Sequence, residues 1–181
     1  DIMLDTYWWG KVNRISPEAP VPVVSLNAKE ERLGGAGNVA LNVQSLGATV
    51  HILSIMGDDV DGKHLTSLLK KNNIQTDYLL QSSKRVTTNK IRIIAKNQHM
   101  MRLDAEVTDF IQDADEQLML QLFAKYIEKE NPHIVILEDY NKGIFTQKLI
   151  HAIIKLCKEN KILIAVDPKR INFFEFQQVD I

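Results

Sequence analysis

Short apolar runs alternate along the chain with stretches of helical periodicity, and the alternation predicts most of the elements. Ile2–Leu4 form an apolar run closed by Asp5, the pattern of a buried strand whose C-terminal end delivers a carboxylate to a loop. TVHILSIMG, residues 49–57, reads as a second buried strand. HIVILED ends a third in two carboxylates, and KILIAVDPKR carries a fourth to Asp167. Helices are predicted where apolar residues return every three or four positions. Val39, Ala40, Leu41, Val43 and Leu46 give one, stopped by Gly47; the others lie in GDDVDGKHLTSLLKKNNI, in DEQLMLQLFAKYIEKENP up to Pro132, and in FTQKLIHAIIKLCKEN.

Two regions depart from this pattern. TYWWGKVNRISPEAPVPVV is rich in aromatics, and Pro17, Pro20 and Pro22 favour extended chain, with VPVVSLN a strand at an exposed edge or in a lid. Between residues 76 and 105 the period shortens to two: Thr88, Lys90 and Arg92 alternate with Asn89, Ile91 and Ile93, a turn follows at Lys96 and Asn97, then another short strand. This predicts a β-hairpin with a basic face. The fold expected for residues 1–181 is α/β, a doubly wound, mostly parallel sheet flanked by helices, with lid segments at approximately 11–28 and 84–104 forming a small extra β-sheet.

Composition narrows the partners. The 181 residues are 45% hydrophobic and 25% charged, enough for one substantial core, and 22 basic against 23 acidic side chains leave a formal net charge of -1. That balance gives no bulk attraction for nucleic acid or an anionic membrane. The single cysteine, Cys157, forbids an internal disulfide and fits a reducing, cytoplasmic setting. No apolar run approaches a membrane span and no secretory signal is visible. The chain opens directly into a strand, so residues are expected before Asp1.

Candidate chemistry gathers around LGGAGNVALNVQSLGA, residues 33–48. Gly34, Gly35 and Gly37 lead into a helix, so backbone N–H groups can approach a polar or anionic ligand; a tight turn with close packing is the alternative. The dinucleotide and P-loop glycine spacings are both absent. Asp5, Asp139 and Asp167 fall at predicted strand ends, where a parallel sheet gathers distant residues into one crevice. Tyr140, Lys142 and Gly143 follow Asp139; Pro168, Lys169 and Arg170 follow Asp167. Carboxylates for sugar hydroxyls or hydrated Mg²⁺, with lysines for phosphates, describe phosphoryl transfer to a hydroxylated substrate. Asp58, Asp59 and Asp61 lack EF-hand spacing and the five histidines lack zinc spacing, so no protein-held metal site is expected. Lysines on the hairpin also suit a solvated edge strand.

With EDYNKG and VDPKR downstream, the glycine stretch after the Asp5 strand resembles the ribokinase-like (PfkB) carbohydrate kinases. MLDTYWWGKVNRISPEAPVPVV, TTNKIRIIAKNQHMMRLD and EDYNKG are particularly similar to the members that phosphorylate D-glycero-β-D-manno-heptose 7-phosphate. The resemblance implies an ATP- and Mg²⁺-dependent sugar kinase of lipopolysaccharide heptose synthesis. It implies that Asp5, Gly34, Gly35 and Asn38 hold sugar hydroxyls, and that Lys90, Arg92 and Arg102 face the substrate and its phosphate. Asp139 and Lys142 would sit between sugar and nucleotide, with Lys169 approaching the ATP phosphates. It further implies homodimerisation through the lid and, in the bifunctional type, fusion to an adenylyltransferase domain. The family motif D-T-x-G-A-G-D, which supplies anion hole and catalytic base, does not occur in these residues. The base is therefore expected beyond Ile181, and this stretch alone is expected to be inactive. Another PfkB-type sugar kinase, or a non-catalytic sugar-binding or dimerisation module, are the alternatives.

Overall fold

The computed structural model describes all 181 residues. Strands β1 (Ile2–Ile15) and β2 (Pro22–Gly35) form a long antiparallel ribbon, interrupted by α1 (Ala36–Ser45) before the next strand. β3 (His51–Gly57), α2 (Val60–Lys71) and β4 (Gln75–Ser82) make a βαβ unit with parallel strands. β5 (Asn89–Ala95) pairs in parallel with β1 and turns back into antiparallel β6 (Gln98–Ala105), giving a four-stranded sheet in the order β2-β1-β5-β6. After α3 (Asp113–Glu130), a second parallel βαβ unit follows: β7 (Ile134–Glu138), α4 (Gln147–Glu159) and β8 (Leu163–Asp167).

Helices cover both faces of the β3 strand, as a doubly wound fold requires. Ile52 and Met56 point into a nine-residue apolar cluster with Leu65 and Leu69 of α2 and Ala40 of α1. Ile55, of opposite parity, joins a sixteen-residue cluster with Met119, Phe123 and Ile127 of α3 and Leu149, Ile150, Ile153, Ile154 and Cys157 of α4. The α3 residues recur every fourth position, and the α4 residues form one continuous stripe. Thr146 caps α4 by accepting from the Leu149 N–H at 3.0 Å, and Asn131 in the left-handed region, ahead of Pro132, ends α3.

Three expectations are corrected. The first strand does not stop at Asp5: Thr6, Tyr7, Trp8 and Trp9 are strong strand formers, so β1 runs on to Ile15 and carries the body of the protein into the lid. Gln75–Ser82, which overlaps the region expected to form the hairpin, is instead β4, parallel to β3 in the body. Leu46, counted in the apolar stripe of α1, is 87% exposed, because the helix ends at Ser45. The hairpin turn is as expected: Lys96 and Asn97 both have positive φ, 50° and 60°, the pair that a type I′ connection needs.

The aspartates before α2 are structural. Asp59 caps the helix by accepting from the Gly62 N–H at 2.8 Å and also takes the Thr87 N–H at 2.8 Å, while Asp61 accepts from Asn89 Nδ2 at 2.8 Å. Together they tie α2 to the start of β5.

Candidate active site

The site is built where β1 and β5 leave the body. Register places Asp5 opposite Arg32 on β2 and Lys90 on β5, and Tyr7 opposite Glu30 and Arg92. Arg92 and Arg102 face each other across β5 and β6, so one face of the sheet carries Arg32, Lys90, Arg92 and Arg102 against Asp5, Glu30 and Asp104. Arg92 Nη1 donates to Asp5 Oδ1 at 2.7 Å, with both side chains about four-fifths buried. The Tyr7 ring lies beneath two guanidiniums, Arg32 at 4.7 Å and Arg92 at 5.2 Å from its centroid. Arg102 is bound by two hydrogen bonds, 2.8 and 3.0 Å, to Asp104 on its own strand. Lys90 has no ion-pair partner.

The glycines answer to this geometry. A Cβ on Gly34 would lie 2.7 Å from Asp5 Oδ2, so only glycine leaves room for that carboxylate. Gly35 has φ +54° and a Cβ there would strike the Asp1 carbonyl at 2.7 Å. A tight turn thus explains Gly34 and Gly35 structurally, and the same turn presents the α1 N-terminus beside Asp5. That terminus has no side-chain cap and no acidic residue in its first turn, and Asn38 stands exposed on it.

The other predicted residues fall into two neighbouring groups. Asp139 is fully buried: its Oδ1 accepts from the Asn141 N–H at 2.8 Å and its Oδ2 from Asn172 Nδ2 at 2.9 Å, so here it shapes the Tyr140–Gly143 loop from beneath. Lys142 pairs with Glu106 at 2.8 Å, at the root of the lid. Lys169 lies over the Tyr140 ring, 4.9 Å from its centroid, and 3.9 Å from Asp167. Glu138 is paired with Asp167 across β7 and β8; burial, then the Asp167 charge, push its carboxyl above the ordinary range, and its Oε2 is buried without a hydrogen-bond partner. Tyr140 joins the groups: burial and the charges of Glu138, Asp167 and Asp5 push its phenol up.

No group of three or more His, Cys, Asp or Glu side chains is placed to cage a metal. The donor set that fits Mg²⁺ is Glu138 with Asp167, two hard carboxylates beside Lys169, suited to an ion carried mainly on nucleotide phosphates. A hollow of about 450 Å³, lined in part by Trp9, Lys11, Asn27, Ile94 and Lys96, lies farther out along the lid.

Sequence reasoning missed Asp1, Arg85, Glu106 and Asn172. Each acts on residues distant in sequence, Asp1 and Arg85 through backbone groups, so no local motif marks it. Glu106 alone had a signal, as the acidic residue that closes the basic hairpin.

The arrangement is a four-stranded sheet running out from an α/β body, with a glycine turn packed against a strand carboxylate. The chain belongs to the pfkB family of carbohydrate kinases, whose model matches residues 1–179. Among curated relatives it is 40% identical over 181 residues to the bifunctional protein HldE of Helicobacter pylori (strain P12), and 40% identical over 177 residues to the bifunctional protein HldE of Aliarcobacter butzleri (strain RM4018). These alignments cover 100% and 98% of this chain but 39% and 37% of the relatives, so it spans well under half their length. Among solved structures, a putative phosphofructokinase from Staphylococcus aureus superposes with a TM-score of 0.74 at 16% identity, over 97% of this chain and 53% of that one. The tetrameric inhibited form of phosphofructokinase-2 from Escherichia coli gives 0.71 at 17% identity, over 97% and 54%. These likenesses establish the ribokinase-like α/β fold.

Proposed function

We propose that this chain is the sugar-binding half of an ATP-dependent kinase that phosphorylates D-glycero-D-manno-heptose 7-phosphate at its anomeric hydroxyl, in ADP-heptose synthesis for the lipopolysaccharide core. The observation that carries the reading is the Asp5–Arg92 pair beside the Gly34–Gly35 turn, at the root of a face bearing four cations. Asp5 accepts from sugar hydroxyls, and the α1 N-terminus with Asn38 supplies donors to their oxygens. Arg92 and unpaired Lys90 meet the distal phosphate, a guanidinium fork and a mobile point charge suited to its oxygens. Arg102 stands one strand farther out on the same face.

On the β7–β8 side, Lys169 and Lys142 would hold phosphoryl oxygens of ATP while Asp139 holds the intervening loop, and Mg²⁺, when bound, would supply charge neutralisation for phosphoryl transfer. The anion hole and the base that takes the hydroxyl proton come from the remainder of the family's sequence, as does the second activity of a bifunctional protein.

The lid's other face supports homodimerisation in a cytoplasmic enzyme. Ile91, Ile93, Met101 and Leu103 share it, and Met101 and Leu103 are 57% and 43% exposed.

The test is kinetic, in the complete parent protein. Changing Lys90 and Arg92 together to Gln is expected to lower kcat/KM for the 7-phosphate by about a hundredfold or more, with a much smaller effect on the unphosphorylated heptose. An unchanged preference between the two sugars overturns the phosphate assignment. The 181-residue polypeptide alone is expected to show no turnover, and a rate comparable with the complete kinase would refute the division of labour.

A further inference from the structure

Arg85 is a half-buried guanidinium with no carboxylate partner. Its donors go instead to three backbone carbonyls: Nη1 to Asp109 at 3.2 Å, Nη2 to Val107 at 3.1 Å, and Nη2 to Lys142. Two of these lie in the irregular segment that follows β6, the third in the Tyr140–Gly143 loop. The same segments meet in three more ways. Lys142 Nζ pairs with Glu106, the Ile111 N–H donates to the Gly143 carbonyl at 2.9 Å, and Gly143 packs so closely that a Cβ there would fall 2.0 Å from the Asp109 carbonyl oxygen. On the opposite side of the loop the Asp1 carboxylate accepts the Tyr140 N–H at 2.6 Å and the Lys142 N–H at 3.1 Å, while the Asp1 carbonyl accepts the Ala36 N–H of the glycine turn at 2.9 Å. An anion thus takes the loop's amides and a cation takes its carbonyl.

We infer that Arg85 is a positioning residue: working against Asp1, it fixes the Lys142 backbone between the root of the lid and the glycine turn, and so aims the Lys142 ammonium. Three carbonyls in a fixed fork suit a guanidinium, and lysine can satisfy them only in part. Without the clamp the loop keeps Asp139 and Asn172 beneath it but loses its lateral anchor, and the Lys142–Glu106 pair is no longer held at its present separation. The inference deepens the kinase reading, and its kinetic test rests on that reading; the chemical test does not.

In the complete parent protein, Arg85→Lys and Arg85→Ala are compared with wild type by acetylating lysines under native conditions and following each lysine-containing peptide by mass spectrometry. Lys142, with its side chain 13% exposed, is expected to label severalfold faster in Arg85→Ala and to an intermediate degree in Arg85→Lys, while Lys148, 60% exposed, serves as the unchanged reference. Where Arg85→Ala fails to fold, Arg85→Lys alone decides the matter through the same ratio. In the kinase assay, kcat is expected to fall by about tenfold to a hundredfold with KM for ATP little changed, and Arg85→Lys to recover part of the loss. Folded variants with wild-type Lys142 labelling overturn the clamp. Faster Lys142 labelling in Arg85→Ala, together with a wild-type parent protein that phosphorylates no sugar, would leave the clamp standing and refute the kinase reading.

Discussion

The body and the lid of this protein solve the same problem by different means. In the body, β3 is covered on both faces, and strands and helices together build a sixteen-residue cluster in which Leu149, Ile150 and Ile164 are wholly buried. In the lid, the four-stranded sheet has one face of interleaved charges and an opposite face that carries the Lys29–Glu31 pair and leaves Met101 and Leu103 in solvent. Burial holds the body; backbone pairing and a surface network of charges hold the lid. The lid is thus continuous with the packed body through strands β1 and β5.

The sharpest way to break this contrast is to remove equal apolar volume from each region. Leu149→Ala is expected to cost about 3 kcal/mol in urea unfolding, whereas Leu103→Ala should stay within about 0.5 kcal/mol. Equal losses at the two sites would show that the lid has a core of its own.

A smaller effect concerns the buried carboxylate that joins α3 to α4. Burial pushes the Glu116 carboxyl up, but the hydrogen bonds from Lys148 and Thr146 outweigh this and hold it below its ordinary value of 4.5. A depressed pKa adds stability that is complete above that ordinary value and disappears as pH falls through the folded one. Glu116→Gln should cost about 1–2 kcal/mol at neutral pH, at the lower end because Lys148 faces solvent, and should flatten the acid limb below about pH 4.5. Parallel acid limbs in wild type and variant would remove Glu116 from the account.

The least effect is expected at the lid's turn. Asn97→Gly relieves a left-handed residue in the type I′ connection and should raise the thermal midpoint by about 1–2 °C. A fall would mean that the turn is held by side-chain contacts rather than by backbone conformation.

The body was legible because its signal is periodic: α4 shows its buried stripe directly in the order Leu149, Ile150, Ile153, Ile154, Cys157. The hairpin was legible through its alternation. β4 was not, since Tyr78, Leu79 and Leu80 run together and mask a period of two. Asp5 reads from the sequence as a strand end, and its place within a strand is masked because the aromatic, proline-containing segment that follows reads as separate extended chain. Strand-end reasoning brought Asp139 to the right loop without revealing that Asn141 and Asn172 occupy its oxygens. Asp1 and Arg85 were invisible because their partners are amides and carbonyls, which every residue has.

The one thiol of the chain has a practical side. Cys157 is completely buried in α4, and burial pushes it up to about 11, so scarcely any nucleophilic thiolate is present at neutral pH. Across these residues the chain is silent to maleimide chemistry in its native state. A fluorophore or spin label could therefore be attached to a single cysteine engineered at the lid's exposed edge, with Cys157 left in place, and the lid's excursions followed without first emptying the core.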